Sequence, residues 1–214
     1  MTSLFKWGGR GREASSPLST PASDEPAVTA SRVLPKLLRS LGSIEAPVLM
    51  DLGPVVGSNI AFLGEELGCR IFVEDLFAVI ESHNSAGTRD ALVEGLPSRL
   101  TRDDASIDGI LCWDLFDYLE RPVVQPLAAR LMAMLKPGGV LYAFFGSKPG
   151  EIRHYNRFHI EASDRIAVRQ VPATAVDRLV LVNRDVNRMF EGLVVAESVL
   201  LKSNARETLF RKPA

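Results

Sequence analysis

The chain alternates between short apolar runs and longer amphipathic segments. Continuous apolar runs bounded by turn residues predict strands that are covered on both faces, and they occur at APVLMDL, CRIFVED, IDGILCWD and VLYAFFG. Helical spacing of apolar residues predicts a helix over about 30–41, another in SNIAFLGEELG and a third in PVVQPLAARLMAMLKPGG. Strands that alternate with helices predict an α/β fold with a mostly parallel sheet and helices on both of its faces.

Two regions depart from this alternation. Residues 76–106, between the strands CRIFVED and IDGILCWD, are polar, and the further strand expected in this segment is weak or missing. The C-terminal third contains the strand-like segments RFHIEASDRIAVRQV and LVVAESVLLKS on either side of a short helix in NRDVNRMFEGL. These segments predict that the sheet ends with an antiparallel strand pair. We expect no internal repeat, no second folded domain and no insertion that caps a substrate.

The N-terminal segment has a different composition. Residues 1–28 are rich in Ser, Pro, Gly and Thr and have no sustained apolar period, so we expect a disordered tail before a single domain over 29–214. Aromatic, aliphatic and basic residues at the start of this tail could contact a membrane surface or a protein weakly, namely Leu4, Phe5, Lys6, Trp7, Arg10 and Arg12. Its composition favours an untethered tail over that contact.

Composition narrows the range of partners. The 214 residues include 25 Lys and Arg and 26 Asp and Glu, a balance that does not indicate a nucleic-acid partner. Cys69 and Cys112 lie in apolar contexts without metal-ligand spacing, and the three histidines are not spaced as metal ligands, so we expect reduced thiols and no metal site. Neither a membrane-spanning run nor a secretory signal is visible, and we therefore expect a cytoplasmic protein.

The turn after the first central strand contains the candidate chemistry. The segment VLMDLGPVVGSN ends its apolar run on Asp51 and then places Gly53 and Gly57 four positions apart. The glycines allow a ligand to approach bare backbone, and the N–H groups at the start of the next helix are free to donate. The Asp51 carboxylate would repel a phosphate but accept a hydrogen bond from an ammonium or hydroxyl group. This asymmetry favours a nucleoside ligand without phosphates.

A second pair of acids follows the next strand. Glu74 and Asp75 lie about twenty residues after the turn, where a carboxylate can accept hydrogen bonds from both hydroxyls of a ribose. A nicotinamide-dependent oxidoreductase is less consistent with this pattern. Its loop requires Gly-x-Gly-x-x-Gly to hold a pyrophosphate, and the glycine spacing here is different.

Taken together, DLGPVVG, the acids after the second strand, SIDGILCWDLFDYL and LKPGGVLYAFFG resemble the motif series of class I S-adenosylmethionine-dependent methyltransferases over about residues 45–146. The resemblance implies a Rossmann-like, mostly parallel, doubly wound sheet and S-adenosylmethionine as cofactor. It also implies the cofactor-binding residues. Asp51, Gly53 and Gly57 would hold the methionine part, Glu74 the ribose with Asp75 as alternate, and Asp114 with Trp113 would lie near the methionine end and the substrate mouth.

Departures from the family pattern leave two functions open. Val55 replaces the middle glycine, no acid is placed to contact the adenine amine, and the Asn-Pro-Pro-aromatic motif of some relatives is absent. The first hypothesis is methyl transfer to an unidentified acceptor, with a small molecule as the expected substrate. The alternative is a catalytically inactive, methyltransferase-like binding or scaffold protein. No catalytic residue is identified. His154 is the histidine expected on the cofactor side of the sheet, and Asp108 is expected to position its strand.

Overall fold

The computed structural model describes residues 26–214. Its main element is a six-stranded sheet with the order β3-β2-β4-β5-β9-β8. Strands β3, β2, β4 and β5 are parallel, and β9 is antiparallel to both β5 and β8. The strands are β2 (Val48–Asp51), β3 (Arg70–Val73), β4 (Ile107–Trp113), β5 (Leu135–Gly146), β8 (Val194–Leu200) and β9 (Ala205–Arg211). This topology confirms the predicted Rossmann-like sheet with its antiparallel C-terminal pair.

Helices cover both faces of this sheet. Helices α1 (Leu34–Gly42) and α2 (Gly57–Leu67) pack on one face, where Leu37, Leu41, Leu49 and Leu111 are buried. The other face is covered by α3 (Leu76–Ala86), α4 (Leu92–Arg99), α5 (Arg121–Met134) and α6 (Asn183–Met189). Burial on both faces explains why the central strands read as unbroken apolar runs. Among residues 26–214, no helix is both long and apolar enough to cross a membrane.

The segment 76–106 contains α3, a single turn at Arg89–Ala91 and α4, with no strand in the described structure. The expected weakness of a strand here is therefore confirmed. Strand β3 consequently forms the edge of the sheet. Asp108 lies at the N-terminal end of β4. Its carboxylate accepts hydrogen bonds from the Val48 N–H and the Lys136 ammonium group, both at 2.8 Å. Asp108 thus positions its strand, as predicted.

The N-terminal boundary differs from the prediction. Most of the predicted tail, residues 1–25, lies outside the described residues, but Ala27 and Val28 already belong to strand β1 (Ala27–Ala30). Helix α1 begins at Leu34, four residues later than predicted. The Leu34 N–H donates to Ser31 Oγ at 2.8 Å, and Pro35, which lacks an N–H, occupies the first turn. The sequence signal for β1 is weak because three of its four residues are exposed.

A second sheet is the main feature that the sequence did not predict. Strands β6 (Glu151–Ala162) and β7 (Arg165–Asp177) form a long antiparallel hairpin, and β1 pairs with β7. We had expected RFHIEASDRIAVRQV to be part of the main sheet, and we had expected no capping insertion. Both expectations are wrong. The hairpin lies beyond the carboxyl ends of β2 and β4, where Phe158 of β6 stacks on the last residue of β4.

Side chains from helices on both faces of the main sheet hold this hairpin in place. The buried Asn59 of α2 donates from Nδ2 to the Phe158 carbonyl at 2.9 Å and accepts from the Ile160 N–H at 2.8 Å. Glu81 of α3 accepts hydrogen bonds from the Tyr155 hydroxyl at 2.5 Å and the Thr174 hydroxyl at 2.7 Å. The hairpin is therefore fixed at two points across the strand ends.

Candidate functional site

The turn after β2 brings together three of the predicted site residues. Oδ1 of Asp51 accepts hydrogen bonds from the Gly53 N–H at 2.9 Å and from the Trp113 indole N–H at 2.7 Å. The Asp51 residue is only 3 % exposed. Parallel strands β2 and β4 end side by side, and this explains why residues 62 positions apart in the chain share one carboxylate oxygen.

The space next to Gly53 is occupied by the indole of Trp113. A Cβ atom added at Gly53 would lie 2.6 Å from Cδ1 and 2.8 Å from Nε1 of this indole. At Gly57, the first residue of α2, an added Cβ would meet nothing within 4 Å. Gly53 is therefore required for the close packing of the Trp113 indole against the turn. The second glycine faces open space.

Trp113 is held by other aromatic rings. Its ring stacks on Phe158 with centroids 4.9 Å apart, and Phe158 stacks on Phe144 at 5.0 Å. Trp113 is 2 % exposed and has a φ of +51°, in the left-handed region that a bulky side chain rarely adopts. Such backbone strain persists only where the surroundings enforce it, and it is concentrated at functional sites. We call Trp113, Phe158 and Phe144 the aromatic stack.

The Asp51 carboxylate is destabilised by its surroundings. Burial raises the pKa of Asp51 to about 6, although the hydrogen bonds from Gly53 and Trp113 oppose this shift. The negative charge of Asp75 raises the pKa of Asp51 further. A ligand group that donates a hydrogen bond or carries a positive charge would stabilise the ionised form.

The two acids after β3 have different neighbours. Glu74 forms an ion pair with Arg99 at the end of α4, with 3.2 Å between the nitrogen and oxygen atoms. Asp75 caps α3 by accepting a hydrogen bond from the Ala78 N–H at 3.0 Å. The charge of Asp75 adds to the effect of burial in raising the pKa of Asp51, and it also adds to the effect of burial on the pKa of Tyr155 in the hairpin.

A cavity of about 360 Å³ lies between the second sheet and the ends of β5 and β9. Phe144 and Phe158 of the aromatic stack form part of its wall, but Asp51 and Gly53 do not. Its polar wall includes Ser31, Asp114, Asp117, His154, Asn156, Arg178 and Glu207. Asp114 is thus the predicted site residue that reaches this cavity.

Asp114 immediately follows Trp113 and is buried in the cavity wall. Its Oδ2 accepts hydrogen bonds from Asn156 Nδ2 at 2.6 Å and from the Tyr118 hydroxyl at 3.1 Å. Its Oδ1 has no hydrogen-bond partner within residues 26–214. Burial raises the pKa of Asp114 to about 6, while the hydrogen bonds from Asn156 and Tyr118 oppose the shift. Asp114 can therefore exchange a proton near neutral pH.

Asp117 lies beside Asp114 and is linked to a cation. Its carboxylate accepts hydrogen bonds from the Gly146 N–H at 2.9 and 3.1 Å, and Arg178 Nε lies 3.2 Å from Oδ2. Burial and then the charge of Asp114 raise the pKa of Asp117 to about 7. Burial and the charge of Arg178 lower the pKa of His154.

Glu207 of β9 is the third carboxyl group of the cavity wall. Ser31 and Tyr142 both donate hydroxyl hydrogen bonds to its Oε1. Its Oε2 has no partner in the described part of the chain. Burial raises the pKa of Glu207, and the hydrogen bonds from Ser31 and Tyr142 act in the opposite direction. The sequence signal for this residue is weak, because Glu207 lies in the segment RETLFR, where most residues are polar or charged.

The sequence analysis did not predict several of the polar residues that line the cavity. Asn156 and Arg178 belong to the hairpin region, and Ser31 follows β1, so their positions depend on the second sheet. Among residues 26–214, no group of three or more His, Cys, Asp or Glu side chains is arranged to hold a metal ion.

Comparisons with known proteins add information on the fold. No family model and no curated protein matches the chain. Its structure is similar to that of a protein from Pyrococcus horikoshii OT3, at 17 % identity, with a TM-score of 0.50 over 84 % of this chain and 87 % of that chain. This likeness shows a shared fold.

Two further similar structures have TM-scores below 0.5. One is a putative sarcosine dimethylglycine methyltransferase from Galdieria sulphuraria, at 16 % identity and a TM-score of 0.49 over 83 % of each chain. The other is 1,6-didemethyltoxoflavin-N1-methyltransferase from Burkholderia thailandensis with bound 1,6-didemethyltoxoflavin and S-adenosylhomocysteine. It has 15 % identity and a TM-score of 0.48, over 86 % of this chain and 78 % of that chain.

Proposed function

We propose that the chain is an S-adenosylmethionine-dependent methyltransferase whose acceptor is a small molecule bound in the cavity between the two sheets. One observation carries this proposal: the cavity lies at the carboxyl ends of β4 and β5 and is linked to the Asp51 turn through the end of β4. Asp114 in the cavity wall follows Trp113, and Trp113 donates a hydrogen bond to Asp51. Open parallel sheets bind their ligands at this edge.

We assign the parts of the cofactor to residues at the ends of β2, β3 and β4. Asp75 is our candidate for the ribose hydroxyls because its charge acts on Asp51, and Glu74, which pairs with Arg99, becomes the alternate. This reverses the order that the sequence suggested. The methionine part is assigned to the turn and the end of β4, namely Asp51, Gly53, Gly57, Trp113 and Asp114.

S-adenosylmethionine supplies a methyl carbon that is already activated by its sulfonium group. The protein therefore has to bind the acceptor, align it and exclude water, and a strong base is not required. Two features of the cavity support these roles. Phe144 and Phe158 present apolar surface, and the hairpin covers the strand ends. Asp114, with a pKa raised to about 6, can accept a proton from a bound acceptor.

The two ends of the cofactor fit this structure unequally. The acids after β3 are the residues that we propose for the ribose, but the indole of Trp113 fills the space next to Gly53 and donates a hydrogen bond to Asp51 Oδ1. The methionine part therefore does not fit the turn while the indole is there. Binding at this end requires the Trp113 side chain to leave Gly53.

The position of Trp113 favours a second candidate function. A protein with a permanently filled methionine subsite would bind a small molecule in the cavity without transferring a methyl group to it. The aromatic stack and the burial of Asp51 support this alternative. The two candidates share the cavity as ligand site, and they differ in whether the cofactor binds.

Isothermal titration calorimetry separates the two candidates. Methyltransferase function predicts that the wild-type chain binds S-adenosylmethionine and S-adenosylhomocysteine in preference to NAD. The second candidate predicts no heat with either adenosyl compound. Asp75→Asn retains the acceptor that caps α3 but removes the charge, so it should weaken cofactor binding roughly tenfold. Glu74→Gln is the matched comparison, and a larger loss for it would return the ribose to Glu74.

A further inference from the structure

The cavity contains an imbalance of charge and hydrogen bonding. Three carboxyl groups line its wall, from Asp114, Asp117 and Glu207, and the partly buried guanidinium group of Arg178 lies beside Asp117. Lys148 also lines the cavity but is exposed. Asp117 is satisfied by the Gly146 N–H and by Arg178, whereas the other two acids have no cationic partner among the described residues.

Asp114 and Glu207 each leave one oxygen without a donor. Asp114 Oδ1 and Glu207 Oε2 have no hydrogen-bond partner within residues 26–214, although the two residues are 4 % and 0 % exposed. Buried carboxylate oxygens in native proteins almost always accept hydrogen bonds, and leaving one unsatisfied is costly. The other oxygen of each residue accepts hydrogen bonds from two protein donors. Each carboxyl group therefore has one satisfied and one unsatisfied oxygen.

The remaining cavity wall restricts the chemistry of the missing donor. Metal ions are not indicated, because no group of three suitable ligands is assembled in the described chain. An anionic ligand would be repelled by Asp114 and Glu207. Phe144 and Phe158 provide apolar surface that can pack against an alkyl or aryl group and can attract a cation to the ring face. A protonated amine satisfies all these features because it has several donors and a positive charge.

We propose that the ligand of this cavity carries a protonated amine next to an apolar group, and that Asp114 and Glu207 accept hydrogen bonds from it. This inference rests on the proposed function, in which the cavity holds the acceptor, and it specifies the acceptor class as an amine. Burial raises the pKa of both carboxyl groups, and a bound cation beside them would favour their ionised forms.

The test uses three probes of similar size that share a phenyl ring and differ in their polar group: phenethylammonium, 2-phenylethanol and phenylacetate. Binding of each probe to the full-length chain is measured by ligand-detected NMR and calorimetry, without any methyl donor. We expect phenethylammonium to bind at least tenfold more tightly than 2-phenylethanol and phenylacetate to show no binding. Equal affinity for the three probes, preference for phenylacetate or no binding of phenethylammonium would overturn the proposal.

Isosteric variants locate the binding site. Asp114→Asn and Glu207→Gln should each weaken phenethylammonium binding roughly tenfold, because each removes one charge-assisted hydrogen bond. Glu197→Gln on β8 is the control, since Glu197 pairs with Lys36 outside the cavity and should leave binding unchanged. Thermal melts of the unliganded variants confirm folding. Wild-type affinity in both cavity variants would contradict the proposal. Because no methyl donor is present, the outcome is independent of whether S-adenosylmethionine binds.

Discussion

Among single residues, Asp51 shows which features of the candidate site could be predicted from the local sequence and which could not. Its position after an apolar run and before Gly53 makes it a predicted site residue. Its hydrogen bond with Trp113 was not predictable from local sequence, because it depends on the parallel pairing of β2 with β4. The same limit applies to Glu207, whose partners Ser31 and Tyr142 come from separate elements.

Replacing Asp51 with Asn should stabilise the protein at neutral pH. Burial raises the pKa of Asp51 from 3.8 to about 6, so folding favours its protonated form. This contribution to stability is fully present below pH 4 and is lost as the pH rises through about 6. Asn keeps an acceptor for Gly53 and Trp113 without the buried charge. We expect the free energy of unfolding to increase by about 1 to 3 kcal/mol at pH 8.

The measurement is urea denaturation of both proteins between pH 4 and pH 8. The advantage of Asp51→Asn should disappear towards pH 4, where wild-type Asp51 is protonated when folded. Asp90→Asn is the control, because Asp90 is exposed and should show no such pH dependence. A variant that is less stable than wild type at pH 8 would show that the ionised carboxylate stabilises this turn.

A second residue-level prediction concerns the contact between Gly53 and Trp113. Gly53→Ala would place a Cβ 2.6 Å from the indole, so it should destabilise the fold by about 1 to 3 kcal/mol. In a Trp113→Ala background the same change should cost much less, because the indole is absent. Gly57→Ala, with no atom within 4 Å of the added Cβ, is the control and should be close to neutral. Additive effects of the two changes in a double-mutant cycle would rule out this contact.

At the scale of elements, the buried strands and amphipathic helices of the main sheet were predictable because their periodicity is strong. Helix α2 and strand β4 lie within one or two residues of the predicted segments. Strand β1 and the separate sheet were missed for a physical reason. Pairing of β1 with β7 joins residues about 140 positions apart, such as Ala27 and Val168, and no local pattern specifies a contact of that range.

Asn59 provides a test of how the hairpin is attached. Its side chain is buried and bridges α2 to β6 through the Phe158 carbonyl and the Ile160 N–H. Asn59→Ala leaves both backbone groups without these partners, so the free energy of unfolding should fall by about 2 kcal/mol or more. Amide exchange at Ile160 should accelerate. Asn187→Ala, at an exposed position of α6, is the control and should change neither quantity. Unchanged exchange at Ile160 would mean that other contacts hold the hairpin.

At the scale of the whole molecule, the aromatic stack connects two parts of the site. Trp113 fills the turn that was predicted for the cofactor, and Phe158 and Phe144 form part of the cavity wall. The sequence predicted the fold, and it predicts a site at the strand ends, because both follow from the order of strands and helices. It did not predict the filled turn, since Phe158 reaches Trp113 only through the second sheet.

The most direct test of the central claim is titration of S-adenosylhomocysteine into a Trp7→Phe variant, in which Trp113 is the remaining tryptophan. If the cofactor binds the turn, calorimetry will show saturable heat, and the emission of Trp113 will shift to longer wavelength as the indole leaves its buried position. Trp7→Phe/Trp113→Ala should then bind at least as tightly, because no indole has to move. Absence of binding in both proteins, or binding without any change in Trp113 emission, would contradict the account.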